Sequence, residues 1–102
     1  MILVDAATIS EAVVLWLGFK RAASPLRDDD AVRNAYGRDR GAVILDALRL
    51  LKRDFDSSDA YLTGSDLASM IEQASREFRE RHPELSDSAV RALSWAYTFE
   101  NR

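Results

Sequence analysis

The side chains able to do chemistry form a narrow repertoire. There are 17 acidic residues, one histidine (His82) and no cysteine. Disulfides and thiolate metal sites are therefore excluded, and so is a multi-histidine metal centre. Asp54-Phe55-Asp56-Ser57-Ser58-Asp59 has the start of a calcium loop, but an EF-hand needs Gly at its sixth position and Glu at its twelfth. Those positions hold Asp59 and Ser65, so the segment reads as a solvated acidic turn. The Asp28-Asp29-Asp30 cluster reads as helix capping.

Gly37-Arg38-Asp39-Arg40-Gly41 is glycine-flanked and basic. It is not a phosphate loop, because no strand precedes it and no Gly-Lys-Ser/Thr follows. Gly37 is expected to end one helix in a left-handed conformation and Asp39 to cap the next. Gly41 then falls in the first turn, where it allows close helix approach. His82 precedes Pro83 at a helix C-terminus, where a cation suits the dipole. No serine lies in a nucleophile-elbow pattern, and no carboxylate pair is set apart by spacing or apolar context. No catalytic, cofactor-binding or metal-binding residue is expected, and the chain is read as not an enzyme.

The elements that position these residues are helices. Alanine is common, no period-two alternation persists, and the punctuation marks helix ends. Thr8-x-x-Glu11 is a capping-box pattern, which predicts a first helix from about Thr8 to Ala23, stopped by Ser24-Pro25. A short second helix is expected from the Asp28–Asp30 cluster to Gly37. The third is expected from Asp39 to Asp54, with a loop at Asp56–Asp59. Thr63 or Ser65 is expected to cap a fourth helix that ends at about His82. Ser86 is expected to cap a last helix ending at about Phe99. The fold class is all-α: a small single-domain bundle, residues 1–102, of four main helices plus one short helix.

The fourth helix is cleanly amphipathic, with Leu67, Met70, Ile71, Ala74 and Phe78 within an arc of ~100°. The others are wider. Ile9, Ala12, Val13, Val14, Leu15, Trp16, Leu17 and Phe19 spread over more than half of the first helix. On the third, Val43, Ile44, Leu45, Leu48, Leu50, Leu51 and Phe55 span roughly 220°. On the last, Ala92, Trp95 and Phe99 form a flank beside Val90, Leu93 and Tyr97. A chain of 102 residues has difficulty burying three such arcs fully. Leftover apolar surface is expected at Trp16 or at the Trp95/Phe99 flank, and such surface marks interfaces.

The formal charge is −3, which gives no global attraction to nucleic acid or to an anionic membrane. The N-terminus carries no basic n-region, and the apolar run from Val13 to Phe19 is too short to span a bilayer. The chain is read as cytoplasmic, with no membrane partner.

One stretch resembles the three-helix core of helix-turn-helix regulators. It runs Arg40-Gly-Ala-Val-Ile-Leu-Asp-Ala-Leu48, then Leu62-Thr-Gly-Ser-Asp-Leu-Ala68, then Pro83-Glu-Leu-Ser-Asp-Ser-Ala-Val-Arg-Ala-Leu93. The resemblance covers about residues 40–99 and makes the last helix the recognition helix. It implies that Ser86, Ser88, Arg91, Ser94 and Thr98 face the major groove. Arg40, Arg49, Lys52 and Arg53 on the third helix could add phosphate contacts. Three features depart from the pattern: a long second helix, no wing before the chain stops at Arg102, and a recognition helix with little positive charge beyond Arg91.

The preferred reading is a non-enzymatic interaction module, an adaptor, inhibitor or regulatory subunit. It binds a protein partner, a second copy, or both through apolar helix faces. Trp16, Phe19, Trp95 and Phe99 are the expected anchors, with Arg91 as a polar rim contact. DNA binding is the alternative, and no cofactor is expected.

Overall fold

The computed structural model describes residues 4–57 and 66–100. Those residues form five helices: α1 (Ala6–Leu17), α2 (Asp29–Tyr36), α3 (Arg38–Asp56), α4 (Leu67–Arg81) and α5 (Asp87–Glu100). There is no strand among the described residues, and the architecture is the expected small all-α bundle.

The helix starts follow the short polar side chains. Asp28 accepts a hydrogen bond from the Ala31 N–H at 3.0 Å and caps α2. Ser86 Oγ accepts from the Ala89 N–H at 3.2 Å at the head of α5. Three starts differ from expectation, one of them that of α3, which follows Gly37. Asp5, not Thr8, caps α1, accepting from the Thr8 N–H at 2.7 Å. Asp66 caps α4, accepting from the Ser69 N–H at 2.7 Å. Thr63 and Ser65, the expected caps, lie outside the described residues, as do Ser58 and Asp59. In both helices the aspartate satisfies an otherwise orphaned amide and places its charge at the positive end of the dipole.

The end of α1 corrects the sequence reading by about one and a half turns. Gly18 sits in the left-handed region at φ 72. Its N–H reaches Leu15 O, and the Phe19 N–H reaches Val14 O at 3.2 Å, a Schellman closure. Glycine takes that conformation without a Cβ penalty, so it stops the helix before Ser24-Pro25 can. The chain then turns back along α1, with Leu26 N–H on Leu17 O and Asp28 N–H on Trp16 O.

Gly37, at φ 90, both ends α2 and precedes α3; Asp39 therefore lies in the first turn of α3 and is not its cap. One turn on, Gly41 lets the two helices close: a Cβ there would stand 3.1 Å from Arg33 Cα. At its other end α3 runs to Asp56, past the expected stop at Asp54.

The buried apolar residues form one cluster drawn from all five helices. Helix α3 is central, touching each of the other four, while α1 lies on α5, and α4 packs on α5. That position explains the width of the apolar arc on α3. Phe55 lies at the middle of the core, with its ring centroid 5.2 Å from Phe78 and 5.6 Å from Tyr97. A polar tie joins the first and last helices: Ser10 Oγ, buried, accepts from the Ser86 N–H at 2.9 Å.

Candidate functional site

The expected anchors separate into two groups. Trp16 is 1% exposed and belongs to the core. Its Nε1–H donates to Asp29 Oδ1 at 2.9 Å, which satisfies the indole and ties α1 to α2. Trp16 therefore offers no surface to a partner, a correction to its place among the anchors. The turn made by Gly18 brings α2 over the face that would otherwise expose it.

Phe19, Trp95 and Phe99 do come together. Their rings form a half-buried file, with centroids 5.6 Å apart for Phe19–Trp95 and 5.7 Å for Trp95–Phe99. Arg91 is exposed and bonded to Asp87 at 2.9 Å, and Asp87 also takes Arg79 of α4 at 2.6 Å.

The five residues implied by the helix-turn-helix resemblance do not share one open face. Ser88 and Arg91 are exposed, and the exposed Ser86 has its Oγ in the helix cap. Ser94 is half-buried, its Oγ 2.6 Å from Ser75 Oγ on α4. Thr98 Oγ1 donates to Ser94 O at 2.9 Å. The basic ridge on α3 is likewise broken up. Lys52 is only 3% exposed and is held between Asp56 and Glu100, at 2.7 Å from the latter. Arg49 is bonded to Asp29 at 2.8 Å.

A mainly apolar groove lies elsewhere. Val4 before α1, Ala6 and Ile9 from its start, Ala47, Leu50 and Leu51 from α3, and Leu85 before α5 line a groove of about 460 Å³. Leu50 is 62% exposed and Val43, two turns earlier on the same side of α3, is 38% exposed. Residues 43, 47, 50 and 54 are spaced four, three and four apart, so they make one stripe along α3. Its signal was present in the sequence as the excess width of the α3 arc. Periodicity alone could not say which edge of that arc would be left uncovered.

A polar cluster closes one end of the groove. Asp54 Oδ2 lies 2.6 Å from His82 Nε2 and accepts from Arg81 Nε at 3.1 Å. Burial works against ionisation of Asp54, but the hydrogen bonds from His82 and Arg81 and the Arg81 charge outweigh it and hold the carboxyl below its ordinary value. His82 Nδ1 faces Glu84 at 3.6 Å, and the ring lies 4.6 Å from Phe78. Both imidazole nitrogens are thus turned to carboxylates, and the lining of the groove includes no hydroxyl, thiol or amine nucleophile. The arrangement suits binding of an apolar surface with a polar boundary at one end.

Among the described residues no three metal-ligating side chains converge, and no helix is long and apolar enough to cross a membrane. Compared with family models, curated proteins and solved structures, the chain matches none.

Proposed function

We propose that this chain is a non-enzymatic protein-interaction module whose principal docking surface is the apolar stripe and groove on α3. The observation that carries this reading is Leu50, a large aliphatic side chain 62% exposed at a groove whose lining is apolar except for Asp54, His82 and Glu84 at one end. Isolated exposed leucines are ordinary; an exposed leucine continuous with an apolar groove is characteristic of a surface that a partner helix covers. The half-buried file of Phe19, Trp95 and Phe99 is a second, smaller candidate face. The DNA-binding alternative draws less support, because Lys52 and Arg49 are bonded to carboxylates and Ser94 is turned to α4.

The test compares the wild-type chain with Leu50→Glu and Trp95→Glu by affinity capture from the source cell after nuclease treatment. Leu50 is exposed, so its variant should keep the wild-type helical circular dichroism. The reading expects a protein retained by wild type and by Trp95→Glu to be lost from Leu50→Glu. Equal recovery on wild type and Leu50→Glu would overturn the assignment of the groove.

A further inference from the structure

We infer that the groove on α3 is covered by a second copy of this chain, with the two α3 helices antiparallel across a two-fold axis. This rests on the reading of the α3 groove as the docking surface and names its occupant.

The argument is one of self-complementarity. Residues 43, 47, 50 and 54 repeat as the seam of a helix pair, alternating steps of four and three. Laid antiparallel on itself about the middle of the stripe, the seam puts Leu50 of one copy over Ala47 of the other, and Ala47 under the other Leu50. A large side chain meets a small one twice, as an isologous contact requires. At each end Val43 meets the stem of Asp54, whose carboxylate is drawn aside by Arg81 and His82.

The charges on the outer flank fix the direction. Asp46 and Arg53 lie seven residues apart on the side of the stripe away from the groove wall. In the antiparallel register Asp46 of each copy falls beside Arg53 of the other, giving two opposite-charge pairs. Both residues are available for this. The Asp46 side chain is 79% exposed and its ion pair with Arg49 is long, at 3.5 Å. Arg53 is exposed and has no ion pair among the described residues. A parallel pairing would instead set Asp46 beside the apolar Leu51 of the other copy and gain no charge match. On the inner flank, Leu51, Val4 and Leu85 of the two groove walls would close on one another.

The experiment uses two single variants of the full chain, Asp46→Arg and Arg53→Asp. Both sites are exposed, and unchanged circular dichroism would show that folding is intact. Association is followed by sedimentation velocity over a concentration series and by native mass spectrometry. Wild type should dimerise, and each variant alone, carrying two like-charge pairs, should associate at least about tenfold more weakly. An equimolar mixture of the two restores both opposite-charge pairs and should form a one-to-one heterodimer. A wild type that stays monomeric at the highest concentrations, or a mixture that does not pair, would overturn this inference. If the chain is monomeric yet Leu50→Glu still loses a captured protein, the antiparallel pairing fails alone. If Leu50→Glu changes neither self-association nor capture, the groove assignment falls with it.

Discussion

Replacing Lys52 with methionine isolates the energetics of the one cation enclosed by the core among the described residues. The substitution keeps an unbranched apolar stem of similar length and removes the ammonium that sits between Asp56 and Glu100. Breaking a sealed ion pair from one side costs about 3–5 kcal/mol. Here the lysine side chain is 3% exposed but the carboxylates are 33% and 39% exposed, so they recover part of their hydration when the cation goes. We therefore expect a loss of about 2 kcal/mol at neutral pH, or roughly 10 °C in the melting temperature. The pH dependence separates this from simple loss of packing. Burial raises the Asp56 carboxyl above its ordinary value, and the hydrogen bond and charge of Lys52 oppose that rise. A raised carboxyl binds its proton more tightly when folded than when unfolded, so its burden on stability is present above the folded value. It is relieved as pH falls toward the ordinary value of 3.8. Without Lys52 the rise is larger, so the gap between wild type and Lys52→Met should narrow from neutral pH to about pH 4. Urea denaturation followed at the helical dichroism band, run on both proteins at both pH values, measures it. A gap that is absent at neutral pH, or unchanged by acid, would refute the reasoning.

Two further substitutions probe the contacts that shape the bundle. Trp16→Phe removes the Nε1–H donor to Asp29; the Trp16 bond is the first cause of the lowered Asp29 carboxyl, followed against it by burial and with it by Arg49. The variant should lose about 1 kcal/mol of stability, the lower end for a bond to a partly hydrated charge, and Asp29 should titrate at higher pH by carboxyl NMR; an unmoved Asp29 would count against the tie. Gly41→Ala gains about 1 kcal/mol in intrinsic helix preference, yet its Cβ would meet Arg33 Cα at 3.1 Å, a backbone atom that cannot rotate away. Net destabilisation in a denaturation curve is expected, and a more stable variant would show that α2 and α3 are not closely seated.

The legible parts of the fold were those set by local chemistry. Asp28 and Ser86 cap because a short acceptor beside a free amide has few alternatives. Gly41 was readable as a close approach because a glycine in a helical turn has little other use there. Competing local signals were harder. Thr8-x-x-Glu11 and Asp5-x-x-Thr8 overlap, and the aspartate one turn earlier takes the Thr8 amide. Gly18 sits in an apolar run that periodicity continues through, and only its closure onto Val14 and Leu15 ends the helix. Lys52 was grouped with a basic ridge by charge. Its spacing from Leu45, Leu48 and Phe55 placed it inside the buried arc, and the carboxylates that let it stay there lie one turn on and at the end of α5. Burial of Trp16 depends on the return of α2, which no property of residue 16 encodes. The groove was foreshadowed only as surplus apolar width, since its walls come from helices far apart in the chain.

The pairing of α1 with α5, pinned by Ser10 and the amide of Ser86, bears on how the chain is made. The α2–α3 and α4–α5 neighbours are close in sequence and can pair as they emerge, whereas the contact of α1 with α5 waits until four more helices have been made. Until then the part of α1 that packs on α5 lacks that cover. During synthesis that part of α1 is open to chaperones and to mispairing with a neighbouring nascent chain.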